Sequence, residues 1–371
     1  MIETQHHETI YQDADHFFQS LNSEIRKAQQ YIYLNYYIFD FDDIGKTVIK
    51  NLIRASKRGI EIKLIVDGIG SSSLSKQHIH FLRKFNIEIK IHNPLPWKLS
   101  HFSKLNFTSI RKSILQINKR DHKKLCIIDD STTFIGSINI THLHSRRIIG
   151  DLSWRDSAVR IIGPISKNIR QLFLNQWNEE KSMQYLNQNF LQTIPIRHNQ
   201  THSQRRHSYS KLISKIELAK ERIWLTTPYF VPNNQILNLL NQAASRGVDV
   251  KIIIPRKSDM KYFPLINSLF YRLLTEENVQ IFEYLPTILH AKTAIIDDWI
   301  CMGSSNLNSR SLLHDFEIDY MPVKFESKSL ILQQFRYDLH HSRRVQFHDI
   351  ISRYLMPHLF EPFFKLIRYW L

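Results

Sequence analysis

The stretch "LHAKTAIIDDWICMGSSNLNSRS", residues 289–311, sets a histidine, a lysine and an aspartate at fixed offsets ahead of a Gly-Ser-Ser-Asn turn. A near twin, "DHKKLCIIDDSTTFIGSINITHLHS", occupies residues 121–145. His122, Lys124 and Asp129 follow H-x-K-x4-D, and Gly136-Ser137-Ile138-Asn139 comes next. His290, Lys292 and Asp297 repeat the spacing ahead of Gly303-Ser304-Ser305-Asn306. One such triplet carries little information, because three matches arise by chance in many chains. Two copies with the same G-S-x-N tail point to a duplicated unit.

The flanking sequence repeats as well. "AQQYIYLNYYIFDFDDIGKTVIKNLIRASKRGIEIKLIVD" near the start and "AKERIWLTTPYFVPNNQILNLLNQAASRGVDVKIIIP" after the midpoint share one order. Each reads as a helix end, a strand, an amphipathic helix, an Arg-Gly stop and a β-branched strand. Arg58-Gly59 and Arg246-Gly247 are helix C-terminal signals, since glycine accepts the left-handed backbone that closes a helix. Strand–helix–strand order implies parallel pairing, hence an α/β fold of two tandem α-β-α sandwich domains. "DSAVRIIGP" and "HDFEIDYMPV" read as matching strands after the two motifs, each followed by a helix. The lobes are expected at residues 1–195 and 196–371, related by a pseudo-twofold axis. The seam, "IPIRHNQTHSQRRHSYS" at about 194–210, is polar and aperiodic and reads as a flexible linker.

The 371 residues suffice for two ordinary domains, and 43% hydrophobic with 23% charged residues suits packed cores. Only two cysteines, Cys126 and Cys301, are present, each in an apolar run, so a disulfide framework is excluded and core filling expected. No run reaches about 18 apolar residues, and the N-terminus lacks a signal-peptide pattern. Fifty basic against thirty-four acidic residues leave a net charge of +16, which favours polyanionic partners: nucleic acid, an anionic membrane face or a phosphorylated substrate.

Alternate residues of a strand share a face, so each motif offers an imidazole beside an ammonium. Neither half completes an in-line displacement at phosphorus, which needs a nucleophile on one side and an acid on the opposite leaving oxygen. Two lobes packed about a twofold axis would set His122 and His290 across one phosphate, about 6–7 Å apart. Lys124 and Lys292 would hold the non-bridging oxygens, with Ser137, Asn139, Ser304 and Asn306 as further donors. A carboxylate behind each ring would fix its tautomer. Asp156 lies 34 residues after His122 and Glu317 lies 27 after His290. Asp129 and Asp297 stand at strand ends, where a structural role competes with a catalytic one. The scheme calls for no metal and no cofactor.

These residues resemble the paired HKD motifs of the phospholipase D superfamily, over about residues 15 to 345. "RDHKKLCIIDD", "FIGSIN", "WRDSAVRIIGP", "TPYFVP" and the second motif are most similar to bacterial cardiolipin synthases. That resemblance implies a phosphohistidine intermediate, with His122 the nucleophile, His290 the acid and base, and Asp156 and Glu317 supporting the rings. It implies transfer of a phosphatidyl group between phosphatidylglycerol molecules with release of glycerol. The chain resembles the shorter branch without transmembrane helices, peripheral on the cytoplasmic face of the cell membrane and monomeric. Two departures stand out: "ITHLHSRR" after Asn139, and Asn308 where an aspartate is common.

Between Asn93 and Arg120, basic Lys98, Lys104, Arg111, Lys112, Lys119 and Arg120 mingle with Trp97, Phe102 and Phe107 and no acid. That composition, like the C-terminal "YLMPHLFEPFFKLIRYWL", suits an anionic lipid interface. Hydrolysis of phospholipid and nuclease action on DNA or RNA are the competing activities. Superfamily nucleases commonly carry a single motif, which makes nucleic acid the lesser expectation.

Overall fold

In the computed structural model, the described residues are 6–94, 119–179, 194–275 and 278–346. The first lobe runs β1 (His7–Tyr11), α1 (Ala14–Lys27), β2 (Tyr31–Tyr36), α2 (Asp43–Lys57), β3 (Glu61–Asp67), α3 (Lys76–Lys84) and β4 (Ile87–His92). It continues through β5 (Lys124–Ile128), β6 (Thr132–Gly136), β7 (Ala158–Ile162) and α4 (Ile165–Trp177). The second lobe repeats the plan: β8 (Ile196–His198), α5 (His202–Leu218), β9 (Arg222–Thr226), α6 (Asn234–Ser245), β10 (Asp249–Pro255) and β11 (Gln280–Tyr284). β12 (Thr293–Ile296), β13 (Trp299–Gly303), β14 (Ile318–Tyr320), α7 (Phe325–His340) and β15 (Ser342–Arg344) complete it.

The two sheets share one strand order. The first is β1-β7-β6-β5-β2-β3-β4; read from its far edge, the second is β8-β14-β13-β12-β9-β10-β11, with β15 added beyond β11. β2, β3 and β4 pair in parallel, as do β9, β10 and β11. The motif hairpins β5–β6 and β12–β13 join antiparallel to β2 and β9. Side-chain oxygens of Asp13, Asp42 and Asn233 cap α1, α2 and α6, satisfying backbone donors that a helix start leaves open. Gly59 and Gly247 both sit at φ +87°, where a Cβ would be strained.

The segment expected to be a flexible linker is ordered structure. Residues 196–198 form β8 on the edge of the second sheet, and Thr201 opens α5 with a capping box closed by Gln204. β8 and α5 are the second lobe's copies of β1 and α1. Their polar composition hides them, because a three-residue edge strand and a half-exposed helix need little apolar periodicity.

One core lies outside the first sheet, where Phe17, Leu21 and Ile25 of α1 meet Val48 and Leu52 of α2. A matching core joins Ile236 and Leu240 of α6 to Leu212 and Ile216 of α5. A third belongs to both lobes: Tyr33, Ile135, Ile161 and Phe173 pack with Ile253, Leu289, Ile300, Tyr320 and Phe335. Burial on both sheet faces explains why all six residues of β2 are buried. This shared core clamps the lobes face to face and fixes the seam in which both motifs lie.

Candidate active site

β5 begins at Lys124, so His122 stands just before the strand rather than within it. It is held there by the other lobe: His122 N donates to Phe316 O at 2.9 Å, and Phe316 N donates to Arg120 O at 2.8 Å. The second motif mirrors this, with Arg155 N donating to Ile288 O at 2.9 Å and His290 N to Arg155 O at 2.8 Å. Each histidine backbone is thereby pinned to the residue preceding a carboxylate of the opposite lobe.

The carboxylates accordingly cross over. His122 Nδ1 lies 3.1 Å from Glu317 Oε1 and 3.0 Å from Ser304 O. His290 Nδ1 lies 2.8 Å from Asp156 Oδ2. Pairing each histidine with the carboxylate downstream in its own lobe, which the separations of 34 and 27 residues had suggested, is thus corrected. Interlobe backbone pairing puts the opposite carboxylate within reach. With Nδ1 engaged by an acceptor, each ring carries its proton there and keeps its lone pair on Nε2.

Lys124 and Lys292 are both 2% exposed. Each ammonium donates to the carbonyl of its own histidine, and Lys292 Nζ also approaches His290 Nε2 at 3.0 Å. Burial, and then the charge of Lys292, brings Lys124 down to about 7. Burial likewise brings Lys292 down to about 8. Burial and the two ammoniums push His122 well below the usual imidazole range. His290 falls to about 4 through burial and Lys292, with Asp156 opposing. The two rings and two ammoniums form a buried cluster that disfavours its own positive charges. An anion between the rings would relieve that penalty.

The four expected polar donors divide. Ser137 Oγ donates to Ser157 O at 3.1 Å and accepts from Ser157 N at 3.2 Å, while Ser304 Oγ donates to Ile318 O and accepts from Ile318 N. The Ser137 hydroxyl proton goes to Ser157 O and that of Ser304 to Ile318 O or Glu317, so the expectation that these serines donate to phosphate is corrected. The glycines before them allow this lacing: a Cβ on Gly136 would stand 2.5 Å from Ser157 O, and one on Gly303 2.5 Å from Ile318 O. Asn139 differs. Its Oδ1 accepts from Ile38 N, and its buried Nδ2 has no protein partner. Asn306 is buried with an unpartnered Oδ1, and a half-turn of that amide would present its nitrogen.

Asp129 and Asp297 stand apart from the site. They close the hairpins at the far ends of β5 and β12, on the order of 20 Å along the chain from each histidine. The Asp129 carboxylate accepts from the backbone N–H groups of Gln29, Gln30 and Tyr31 at 2.9–3.1 Å. Asp297 does the same for Lys220, Glu221 and Arg222. Both adopt positive φ, 52° and 50°, which an aspartate tolerates in a tight turn. Placing them among the catalytic residues is corrected: they tie the motif hairpin to the chain entering the central strand.

Sequence reading missed further neighbours of the rings. The Tyr37 ring lies 4.8 Å from His122, Trp154 lies 5.2 Å from His290, and Tyr229, whose hydroxyl donates to Asp259, lies 6.3 Å from His290. His144 and Ser311 were missed too, although both stand five residues after the motif asparagine; their unlike chemistry concealed the match. Arg120, expected at a lipid surface, is 1% exposed and bonded to Asp67 and Asn93 O. The rest of that basic stretch, apart from Asn93, Pro94 and Lys119, and the C-terminal aromatic tail fall outside the described residues. Cys126 and Cys301 are free and buried.

Two lobes of one fold sharing a composite histidine–lysine site define a phospholipase D-like α/β protein. The family model described as "Cardiolipin synthase, PLD-like domain" matches residues 21–177 and 212–339, and the chain belongs to that family. A cardiolipin synthase of Clostridium perfringens (strain SM101 / Type A) is 31% identical over 378 residues, spanning 96% of this chain and 75% of the relative. A cardiolipin synthase of Halalkalibacterium halodurans is 29% identical over 357 residues, spanning 93% and 68%. The crystal structure of phosphatidylserine synthase from Haemophilus influenzae Rd KW20 has the same fold, with a TM-score of 0.73, 12% identity, and coverage of 98% and 95%. Among the described residues no helix is long and apolar enough to cross a membrane.

Proposed function

We propose that the protein is a phosphatidyltransferase that makes cardiolipin from two molecules of phosphatidylglycerol at an anionic membrane surface, releasing glycerol. The observation that carries this reading is the pair of buried imidazoles, each oriented by a carboxylate of the other lobe, in a chain of the cardiolipin synthase family.

His122 is the nucleophile. Its Nε2 attacks phosphorus, the bond from phosphorus to the headgroup oxygen breaks, and His290 protonates the departing glycerol. A phosphatidyl group is then held on His122. The hydroxyl of a second phosphatidylglycerol enters along the same line, His290 takes its proton, and the bond to His122 Nε2 breaks. Lys124, Lys292 and Asn139 Nδ2 surround the non-bridging oxygens, where preorganised donors stabilise the charge of the transition state. The negative phosphodiester offsets the ammonium charges that depress His290, letting that ring carry a proton in the complex. The net charge of +16 draws the protein to anionic lipid.

The test is to incubate purified protein with phosphatidylglycerol vesicles and, separately, with plasmid DNA. Cardiolipin and glycerol are the expected products, with His122→Ala and His290→Ala each lowering the rate by about 10⁴-fold or more. Nicked DNA without cardiolipin, or wild-type rates in both variants, would overturn the proposal.

A further inference from the structure

The residue five positions after each motif asparagine joins that asparagine to the carboxylate of its own lobe. In the second lobe this is Ser311, whose Oγ accepts from Asn306 N at 2.8 Å and donates to Glu317 Oε1. In the first lobe it is His144. Its Nε2 accepts from Asn139 N at 3.2 Å, and its Nδ1 lies 3.1 Å from Asp156 Oδ2. The bridges are equivalent in topology and different in chemistry.

Because Nε2 is occupied as an acceptor, the proton of the neutral His144 ring is on Nδ1, facing Asp156. That contact lies off the N–H axis and is not an aligned hydrogen bond, so it acts through the dipole of the N–H group and through packing. Asp156 Oδ2 also takes the proton of His290 Nδ1 at 2.8 Å, so two imidazoles converge on one carboxylate oxygen. The rings stand 6.1 Å apart, with Trp154 5.3 Å from one and 5.2 Å from the other. The His144 side chain is wholly buried. Glu317 receives a hydroxyl in place of a second ring, and the ring it serves, His122, also has the neutral carbonyl of Ser304 at its Nδ1.

We infer that His144 is a positioning residue that makes the two reacting imidazoles unequal, holding Asp156 against His290 so that His290 carries the proton while His122 attacks. What the rings do rests on the proposed phosphatidyl transfer; how they are held does not. Burial opposes ionisation of Asp156, but His290 and His144 outweigh it and keep its carboxyl well below the usual range. Burial pushes Glu317 well above that range despite Lys124. An ionised carboxylate behind His290 raises its basicity, whereas the Ser304 carbonyl sets the His122 tautomer without adding negative charge. The other charged or titratable groups bearing on His290 are Lys292, Asp259 through Tyr229, and His122 across the cleft.

Three variants separate the two contacts. His144→Asn keeps an N–H near Asp156, His144→Gln keeps an acceptor near Asn139 N, and His144→Ser copies the other lobe. The readouts are the titration of the His290 ring by ¹⁵N NMR with inorganic phosphate in the site, and the pH dependence of kcat on phosphatidylglycerol vesicles. The Gln and Ser variants are expected to lower the His290 titration by about one pH unit and to move the alkaline limb of kcat down with it. Their kcat should fall about 10–100-fold with KM nearly unchanged, while the Asn variant stays near wild type. Unchanged His290 titration in all three, an Asn variant as impaired as Ser, or a kcat loss with no movement of the limb would each overturn the inference. A wild-type protein inactive on phosphatidylglycerol would end the proposed function instead, and the titration alone would then decide the role of His144.

Discussion

His122 Nδ1 and Glu317 Oε1 lie 3.1 Å apart although 195 residues separate them in the chain, and His290 and Asp156 repeat the relationship over 134 residues. Each lobe therefore supplies one ring and the other ring's carboxylate. The motif histidines are completed only at the seam, where neither lobe provides its own motif histidine with a carboxylate.

The crossed pairing assigns each carboxylate to a chemical step. p-Nitrophenolate leaves without a proton, so a phosphatidyl p-nitrophenyl ester bypasses the acid in the first displacement. On that substrate Asp156→Asn and His290→Ala are expected to retain a stoichiometric burst of p-nitrophenol and then stall. His122→Ala should show no burst, and Glu317→Gln a burst slowed about 10–100-fold. Rapid-quench kinetics distinguish the two patterns, and pairing within each lobe would exchange the behaviour of the carboxylate variants.

The hairpin aspartates lead to the opposite expectation. Asp129→Ala and Asp297→Ala each remove acceptors for three backbone N–H groups at the protein surface. Loss of such a cap costs roughly 0.5–2 kcal/mol. Urea unfolding should register that loss while kcat stays within about twofold of wild type under folding conditions. A well-folded variant as inactive as His122→Ala would restore these residues to the reaction.

The buried lysines link substrate binding to protons. Lys124 at about 7 and Lys292 at about 8 are partly neutral near pH 7.5. A phosphodiester anion favours their charged forms, so binding takes up protons and tightens as pH falls across that range. Calorimetry of a soluble phosphodiester in buffers of different ionisation enthalpy measures the uptake. Between these values and about 10.4 the unfolded chain binds more protons than the folded one, so the unliganded protein should gain stability with rising pH across that window. Bound phosphate should flatten the slope, and the absence of proton uptake would count against close packing of the two ammoniums.

The thiols should be silent in the native protein. Burial pushes Cys301 up to about 12 and Cys126 higher still. Iodoacetamide is expected to label neither at pH 8 until urea unfolds the chain. Rapid labelling of folded protein would contradict their placement in the cores.

The duplication was legible because its signals are local. The H-x-K-x4-D spacing, the Arg-Gly helix stops and the β-branched strands depend on residues a few positions apart, and the two sheets share the order those repeats imply. Less was legible where polar residues do structural work. β8 and α5 carry little apolar periodicity, since an edge strand and a half-exposed helix bury few side chains. The hydroxyls of Ser137 and Ser304 and the carboxylates of Asp129 and Asp297 looked like reacting groups because residue type alone cannot report a hydrogen-bond partner.

By itself, the sequence determined that the chain holds two copies of one α/β unit and which imidazoles and ammoniums the copies contribute. Only the tertiary structure decided which carboxylate serves which ring, that Arg120 is buried in an ion pair, and that His144 and Ser311 hold matching places. The first of these arises from backbone pairing between lobes, Phe316 with His122 and Arg155 with His290, and the others from side-chain contacts within a lobe. Such long-range contacts leave no periodic trace in a single chain, because only folding brings their partners together.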